Sequence, residues 1–184
     1  MAGFFSAILG LWGRENSSPK YRMTDVYQGL RDQVFSLNPQ TVGLQPDKAK
    51  PVWGIMMETG YPEAVVSLLT IADGTVSLYF SNGGGIIGLG QHEAPHKISQ
   101  ELLALVSKSL SDFNSTSDRS LPSRGMTKFY VFTFDGVLAS EAQEDDLGNN
   151  RHKTSPLFHK AHELITAILS VDEKLNKNTN APKP

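Results

Sequence analysis

The sequence predicts an α+β protein, with a largely antiparallel sheet of about five to six strands and three packed helices in the order α-β-β-β-β-α-β-β-α. Apolar residues recur at three- and four-residue steps in three segments, which is the period of an amphipathic helix. Between these segments lie short runs rich in β-branched and aromatic residues, which are typical of strands. Asp73-Gly74 and Asp135-Gly136 each separate two such runs, and this spacing predicts hairpins and therefore antiparallel pairing.

The first predicted helix begins after Thr24, a preferred N-cap residue. It ends at Asn38, because the residue before a proline avoids helical backbone angles. Three prolines within residues 39–51 indicate an ordered connection to the first strand. The apolar stripe of this helix is Met23, Tyr27, Leu30, Val34 and Leu37.

Four strands and a helix are predicted next, followed by a second hairpin and the last helix. The four strands are residues 52–57, 64–71, 75–80 and 86–90, with a glycine-rich turn at 81–85 before the last of them. The second helix begins at Pro95, since proline is tolerated in the first turn of a helix. The later elements are a polar loop at 114–125, strands at 127–134 and 137–142, an acidic loop at 144–150, and a helix from Ser155-Pro156 to Leu175.

These elements predict one domain at residues 20–176. An apolar arm and linker precede it at residues 1–19, and a tail that we expect to be mobile follows it at residues 177–184. In layout, the order of elements is similar to the small sheet-and-helix domains of the roadblock and longin kind. That resemblance implies a fold class and no activity.

Composition and charge exclude several classes of function. The chain has 184 residues, 39% of them hydrophobic and 20% charged, which is ordinary for one soluble domain. Its net charge of −2 supplies no field that would attract nucleic acid or anionic lipid, so we expect no nucleic-acid partner. Cysteine is absent, which excludes disulfides, thiolate metal sites and cysteine nucleophiles and suits a cytoplasmic location.

The N-terminal arm is the first feature that suggests a partner. Its apolar run ends at Arg14, which makes it too short to span a bilayer, and no basic residue precedes it as in a secretory signal. We expect residues 1–13 to pack on the parent domain, on a second copy or on another protein. Contact with a membrane surface is the less favoured alternative, because no cation lies inside the run. Its large apolar residues are Phe4, Phe5, Ile8, Leu9, Leu11 and Trp12.

Residues 83–96, GGGIIGLGQHEAPH, spell two motifs at once. His92-Glu93-x-x-His96 matches a zinc-protease helix, but Pro95 lies inside it, and proline within a helix costs about 3 kcal/mol. His92 should therefore precede the helix. Gly83-x-Gly85-x-x-Gly88 matches a dinucleotide fingerprint, but a strand-like stretch follows where that fingerprint requires a helix. We therefore predict a hairpin turn, with no metal and no cofactor.

An alternative site remains at this glycine loop and the helix start. Backbone N–H groups at a helix start bind anions, and Gly83, Gly84, Gly85, His96 and Lys97 are the candidate ligand-binding residues. In an enzyme, His92, Glu93 and His96 would be the acid/base or ligand groups.

A His/carboxylate metal site would form only if these residues met a second histidine group and the acidic loop in space. The second group is His159 and His162, and the acidic residues are Glu144, Asp145 and Asp146. The sequence contains no assembled nucleophile or acid/base motif, so we expect a binding or protein-interaction domain in preference to an enzyme. The position of the histidines distinguishes the two hypotheses.

Overall fold

The computed structural model describes residues 21–179, so the predicted arm and most of the predicted tail lie outside the described residues. Within this range the chain forms four α-helices and a seven-stranded antiparallel sheet, which confirms the α+β class. The helices are α1 (Asp25–Ser36), α2 (Glu93–Lys108), α3 (Glu144–Gly148) and α4 (Ser155–Thr179). The strands are β1 (Val52–Gly60), β2 (Val65–Ile71), β3 (Val76–Phe80), β4 (Gly85–Ile87), β5 (Asn114–Ser115), β6 (Met126–Thr133) and β7 (Gly136–Gln143).

The strand order β4-β3-β2-β1-β6-β7-β5 places β1 at the centre of the sheet. Alternate side chains of a strand point to opposite faces, and both faces of β1 are covered, so all nine of its residues are buried. This explains why β1 is a continuous apolar run and shows no alternation of apolar and polar residues.

Two hydrophobic cores lie on the two faces of the sheet. The core under α2 and α4 includes Ile55, Leu68, Phe129, Val131, Leu102, Val106, Leu164 and Ile168. The core under α1 includes Tyr27, Val34, Phe35, Met56, Leu69, Tyr130 and Phe132. A register shift between Val52 and Gly54 changes the phase of β1, and Trp53 stacks on Phe132 in the core under α1 with the ring centroids 5.0 Å apart.

The predicted turns and cap are confirmed. The Thr24 side chain accepts a hydrogen bond from the Tyr27 backbone N–H at 3.3 Å, as an N-cap residue should. Gly74 and Gly136 have φ angles of +96° and +132° at the two hairpin turns, a region that favours glycine.

The structure differs from the predicted elements at several places. The fourth strand is only three residues long, because Gly88 adopts a left-handed conformation and starts a short 3₁₀ turn. A two-residue strand, β5, forms inside the predicted polar loop. The predicted acidic loop contains the short helix α3.

A further difference is that the last helix continues through Thr179, into the segment assigned to a tail. Hydrogen bonds at i,i+4 spacing stabilise this end: Asn176 contacts Asp172, and Lys177 contacts Glu173.

A buried ion pair joins α1 to the centre of the sheet. Glu58 of β1 is fully buried, and the guanidinium of Arg31 donates two hydrogen bonds to its carboxylate, each 2.9 Å long. The hydroxyls of Tyr27 and Ser67 also contact Oε1, at 3.2 and 3.1 Å. A charge withdrawn from water destabilises a protein unless its hydrogen-bonding capacity is satisfied, and here four donors satisfy it.

The surroundings keep the guanidinium of Arg31 charged. Burial opposes the positive charge of Arg31, but the hydrogen bonds and negative charge of Glu58 outweigh it and raise the pKa of the guanidinium. Burial, with the charge of Glu58, also raises the pKa of Tyr27, so its hydroxyl remains a donor. The guanidinium further lies 4.8 Å from the ring centroid of Phe35, a cation–π distance.

We expect Arg31→Met to lower the free energy of unfolding by about 3–5 kcal/mol, because it leaves the Glu58 carboxylate buried without its cation. Urea unfolding at neutral pH measures this. The double variant Arg31→Met/Glu58→Met should recover much of the loss, since it removes both charges and leaves Tyr27 and Ser67 hydrogen-bonded to each other. A double variant no more stable than Arg31→Met alone would show that the unpaired carboxylate is not the source of the loss.

Candidate functional site

The predicted glycine loop is the turn between β3 and β4, and it packs against the start of α1. Gly83 and Gly84 have φ angles of +114° and +83°, as the predicted hairpin turn requires. The backbone N–H of Thr24 donates to the carbonyl of Ser81 at 2.9 Å. The turn is thus held beside α1.

The start of α2 lies at the other end of β3. A short 3₁₀ turn, Leu89–Gln91, precedes the helix, and Gly90 packs so closely on the β2–β3 turn that a Cβ there would overlap the carbonyl oxygen of Gly74. The glycine loop, Gly83–Gly85, follows the last residue of β3. The start of α2, with His96 and Lys97, lies beside the turn before the first residue of β3, so the two groups are at opposite ends of this strand. The structure does not bring the candidate ligand-binding residues together.

The HExxH residues do not take up the zinc-protease arrangement. α2 begins at Glu93, two residues before Pro95, and His92 is its N-cap with extended backbone angles. This confirms that His92 precedes the helix, although the helix starts earlier than Pro95. Both ring nitrogens of His96 have local partners: Nδ1 lies 3.1 Å from the Gly90 carbonyl and Nε2 lies 2.9 Å from the Gln100 amide nitrogen.

The remaining histidines make contacts of their own. His159 Nε2 lies 3.0 Å from the Asn150 side-chain oxygen, and His152 Nδ1 lies 2.9 Å from the Thr154 hydroxyl. His162 packs on the Phe158 ring, with ring centroids 4.3 Å apart. Among residues 21–179, no group of three or more histidine or acidic side chains could hold a metal ion.

His162 is the histidine whose surroundings alter its chemistry. Its Nε2 is buried and has no hydrogen-bond partner in the described part of the chain. Burial lowers the pKa of His162; the nearby negative charge of Glu144 opposes this shift and His159 adds to it. Glu144 also accepts a hydrogen bond from Tyr61 at 2.9 Å, and burial together with this bond raises the pKa of Tyr61 to about 12. At neutral pH His162 is therefore a neutral imidazole, and Tyr61 is a protonated phenol that donates to Glu144.

A second buried charge fixes the loop between β5 and β6. Lys128 of β6 donates to Asp118 at 2.6 Å and to the Ser120 carbonyl at 3.3 Å, while Tyr130 donates to the same carbonyl at 2.7 Å. The bond from Lys128 to Asp118, with the bonds that the Ser120 backbone N–H and hydroxyl donate to Asp118, lowers the pKa of Asp118 to about 2. Sequence reasoning missed this contact. The indication in the sequence was Lys128, the single charged residue of an otherwise uncharged strand.

An apolar surface lies where α1 meets the edge strand β4. Val26 is 73% exposed and Ile87 is 61% exposed. Together with Leu30 and Phe80 they line a cavity of about 230 Å³, and we call these four residues the α1–β4 surface. Gly83–Gly85 form part of its wall, so no side chain fills the space there. In the sequence, this surface is indicated by Val26, an apolar residue that lies outside the buried stripe of α1.

Comparisons with protein-family models, curated proteins and solved structures find no match. The layout that this chain shares with roadblock and longin domains therefore carries no functional argument. None of the helices among residues 21–179 is long and apolar enough to cross a membrane.

We expect Gly90→Ala to destabilise the protein by about 1–3 kcal/mol, because the new methyl group would overlap the Gly74 backbone. Gly29→Ala is the matched control: Gly29 is helical, has open space around it, and should gain about 0.5–1 kcal/mol from alanine's helix propensity. Thermal unfolding of both variants measures the difference. Equal stability of the two would contradict the close packing at Gly90.

We also expect His162 to make stability fall with acidification. Its pKa is lowered in the folded state, so the unfolded chain binds the proton more tightly, and stability present above the unfolded pKa of about 6.5 declines below it. In His162→Gln, the fall in melting temperature between about pH 7 and pH 5 should be smaller. The control His159→Gln should keep most of the decline, since burial of His162, the largest cause of its shift, is unchanged. An unchanged decline in His162→Gln would show that other groups cause it.

Proposed function

We propose that the protein is a protein-interaction module whose α1–β4 surface receives the apolar segment, residues 4–12, of a second copy of the chain. The proposal rests on the contrast between two sets of side chains: the buried charged ones, and the exposed apolar ones of the α1–β4 surface. The buried charged side chains of the described residues, Arg31, Glu58 and Lys128, are all ion-paired and support the fold. The large apolar side chains of Val26 and Ile87 have solvent where a packing partner would lie.

Energetics favour an occupant for this surface. Burying one Val or Ile side chain contributes roughly 1.5–3 kcal/mol, and exposed apolar patches mark interaction sites. The cavity between Leu30 and Ile87 offers a recess for a side chain of the partner. Pairing through the sheet edges is not favoured, because β4 has three residues and β5 has two.

The position of the N-terminal segment supports it as the occupant. The described chain begins at Tyr21, just before Thr24, which lines the cavity beside Val26. Residues 13–20 separate the segment from Tyr21 and span up to about 26 Å when extended. Residues 4–12 therefore have the reach to contact an α1–β4 surface. In a symmetric dimer this exchange would form twice, and a net charge of −2 per chain opposes association only weakly.

The alternative of an enzyme at residues 83–97 is not proposed. It would require the glycine loop to act together with the start of α2, and these lie at opposite ends of β3. No observation favours a catalytic group there.

We expect light scattering of the purified full chain to show a dimer, and the chain lacking residues 1–13 to be a monomer. Val26→Glu and Ile87→Glu should each weaken the dimer roughly tenfold or more, since each places a carboxylate in an apolar contact. Val42→Glu is the matched control: Val42 is 36% exposed, does not line the cavity, and its variant should remain dimeric.

Three outcomes would overturn the proposal. A full chain that is monomeric at all concentrations tested has no second copy as partner. A dimer that survives both the deletion and Val26→Glu uses another surface. Binding of the full chain to anionic liposomes that disappears with the deletion, while assembly is unchanged, would make the segment a membrane contact.

A further inference from the structure

A cavity of about 870 Å³ lies on a different part of the molecule. Residues 44–53, which connect α1 to β1 and include the first two residues of that strand, line one side of it, and residues 100–108 in the second half of α2 line the other. Sites for small organic molecules usually have volumes of about 300–1,000 Å³. The cavity shares no residue with the α1–β4 surface, so a ligand bound there would be independent of the proposed function.

One wall of the cavity is apolar and aromatic. Trp53 lines it from β1, Phe134 lines it from the turn between β6 and β7, and Leu103 lines it from α2. Trp53 is 5% exposed and is stacked on Phe132, so its position is fixed by packing. Such a wall binds the flat or apolar body of a ligand.

The rim of the cavity carries an excess of positive charge. Lys48, Lys50 and Lys108 line it, against Asp47 as the single carboxylate. The Asp47 side chain accepts a hydrogen bond from the Ala49 backbone N–H at 2.8 Å, so it stabilises its own loop. None of the three lysines forms an ion pair with a carboxylate of residues 21–179. In a chain with a net charge of −2, this is a local cationic site.

We propose that this cavity binds a small organic anion, with its apolar body against Trp53 and Phe134 and its carboxylate or phosphate at the lysine rim. The apolar wall of the cavity matches the apolar body of such a ligand, and the lysine rim matches its negative charge. A neutral molecule would use only the wall, and an inorganic anion only the rim.

The test compares an aromatic anion, anilinonaphthalene sulfonate, with its uncharged counterpart, phenylnaphthylamine. The chain has two tryptophans, so in a full-length Trp12→Phe background the fluorescence of Trp53 reports binding. We expect saturation at one anion per chain. In Lys50→Glu/Lys108→Glu the anion should bind roughly tenfold more weakly, while the affinity for the neutral probe stays within about twofold. Ala104→Phe, which fills the cavity from α2 without adding a tryptophan, should weaken both probes.

Lys174→Glu is the control, since Lys174 is an exposed lysine of α4 that does not line the cavity. Its affinity for the anion should remain within about twofold of the parent. Three results would overturn the proposal: no saturable change in Trp53 fluorescence, an equal loss in Lys174→Glu, or an equal loss of the neutral probe in the double lysine variant. Melting curves of every variant confirm that it is folded before it is compared.

Discussion

The ion pair between Arg31 and Glu58 is the constraint on which the arrangement of this fold depends. A carboxylate at the centre of the sheet is tolerated only where a cation and further donors reach it, and α1 supplies both Arg31 and Tyr27. Tyr27 contacts Tyr79 of β3, and Phe35 contacts Tyr130 of β6, with ring centroids 6.4 and 4.9 Å apart. The helix therefore crosses the strands from β3 to β6, and the ion pair sets where it crosses.

The two faces of the sheet are stabilised in different ways. Under α2 and α4 the contact is almost wholly apolar, and apolar burial alone specifies position loosely. On the α1 face, polar side chains are interleaved with aromatic ones, and Lys128 fixes the covering loop through Asp118 and Ser120. Each of these polar groups has few acceptable partners. These bonds constrain the position of α1 and of the covering loop on that face, which is the face that carries the α1–β4 surface.

Sequence patterns predicted the caps and turns, which depend on neighbouring residues. They did not predict the contacts between elements that are distant in sequence. The cap at Thr24 and the turns at Gly74 and Gly136 depend on neighbouring residues alone, and the structure confirms them. The alternative site at Gly83–Gly85 and His96 would require that closeness in sequence means closeness in space, whereas an antiparallel strand carries the chain back to the other end of β3. Pairs such as Arg31 and Glu58 join separate elements, and no periodicity marks them.

The two surfaces that we propose to be functional both border α1. Its first turn supplies Val26 to the α1–β4 surface, and the connection after its last turn, anchored by Leu37 and Leu44 on the core under α1, forms one side of the large cavity. Because Arg31 lies between these two ends, the buried pair positions both surfaces at once. A shift of α1 along the sheet would change the shape of the recess beside Ile87. It would also change the distance from Lys48 and Lys50 to Lys108 in the large cavity. The polar contact in the core thus sets the geometry of the outer surfaces, even though it takes part in neither.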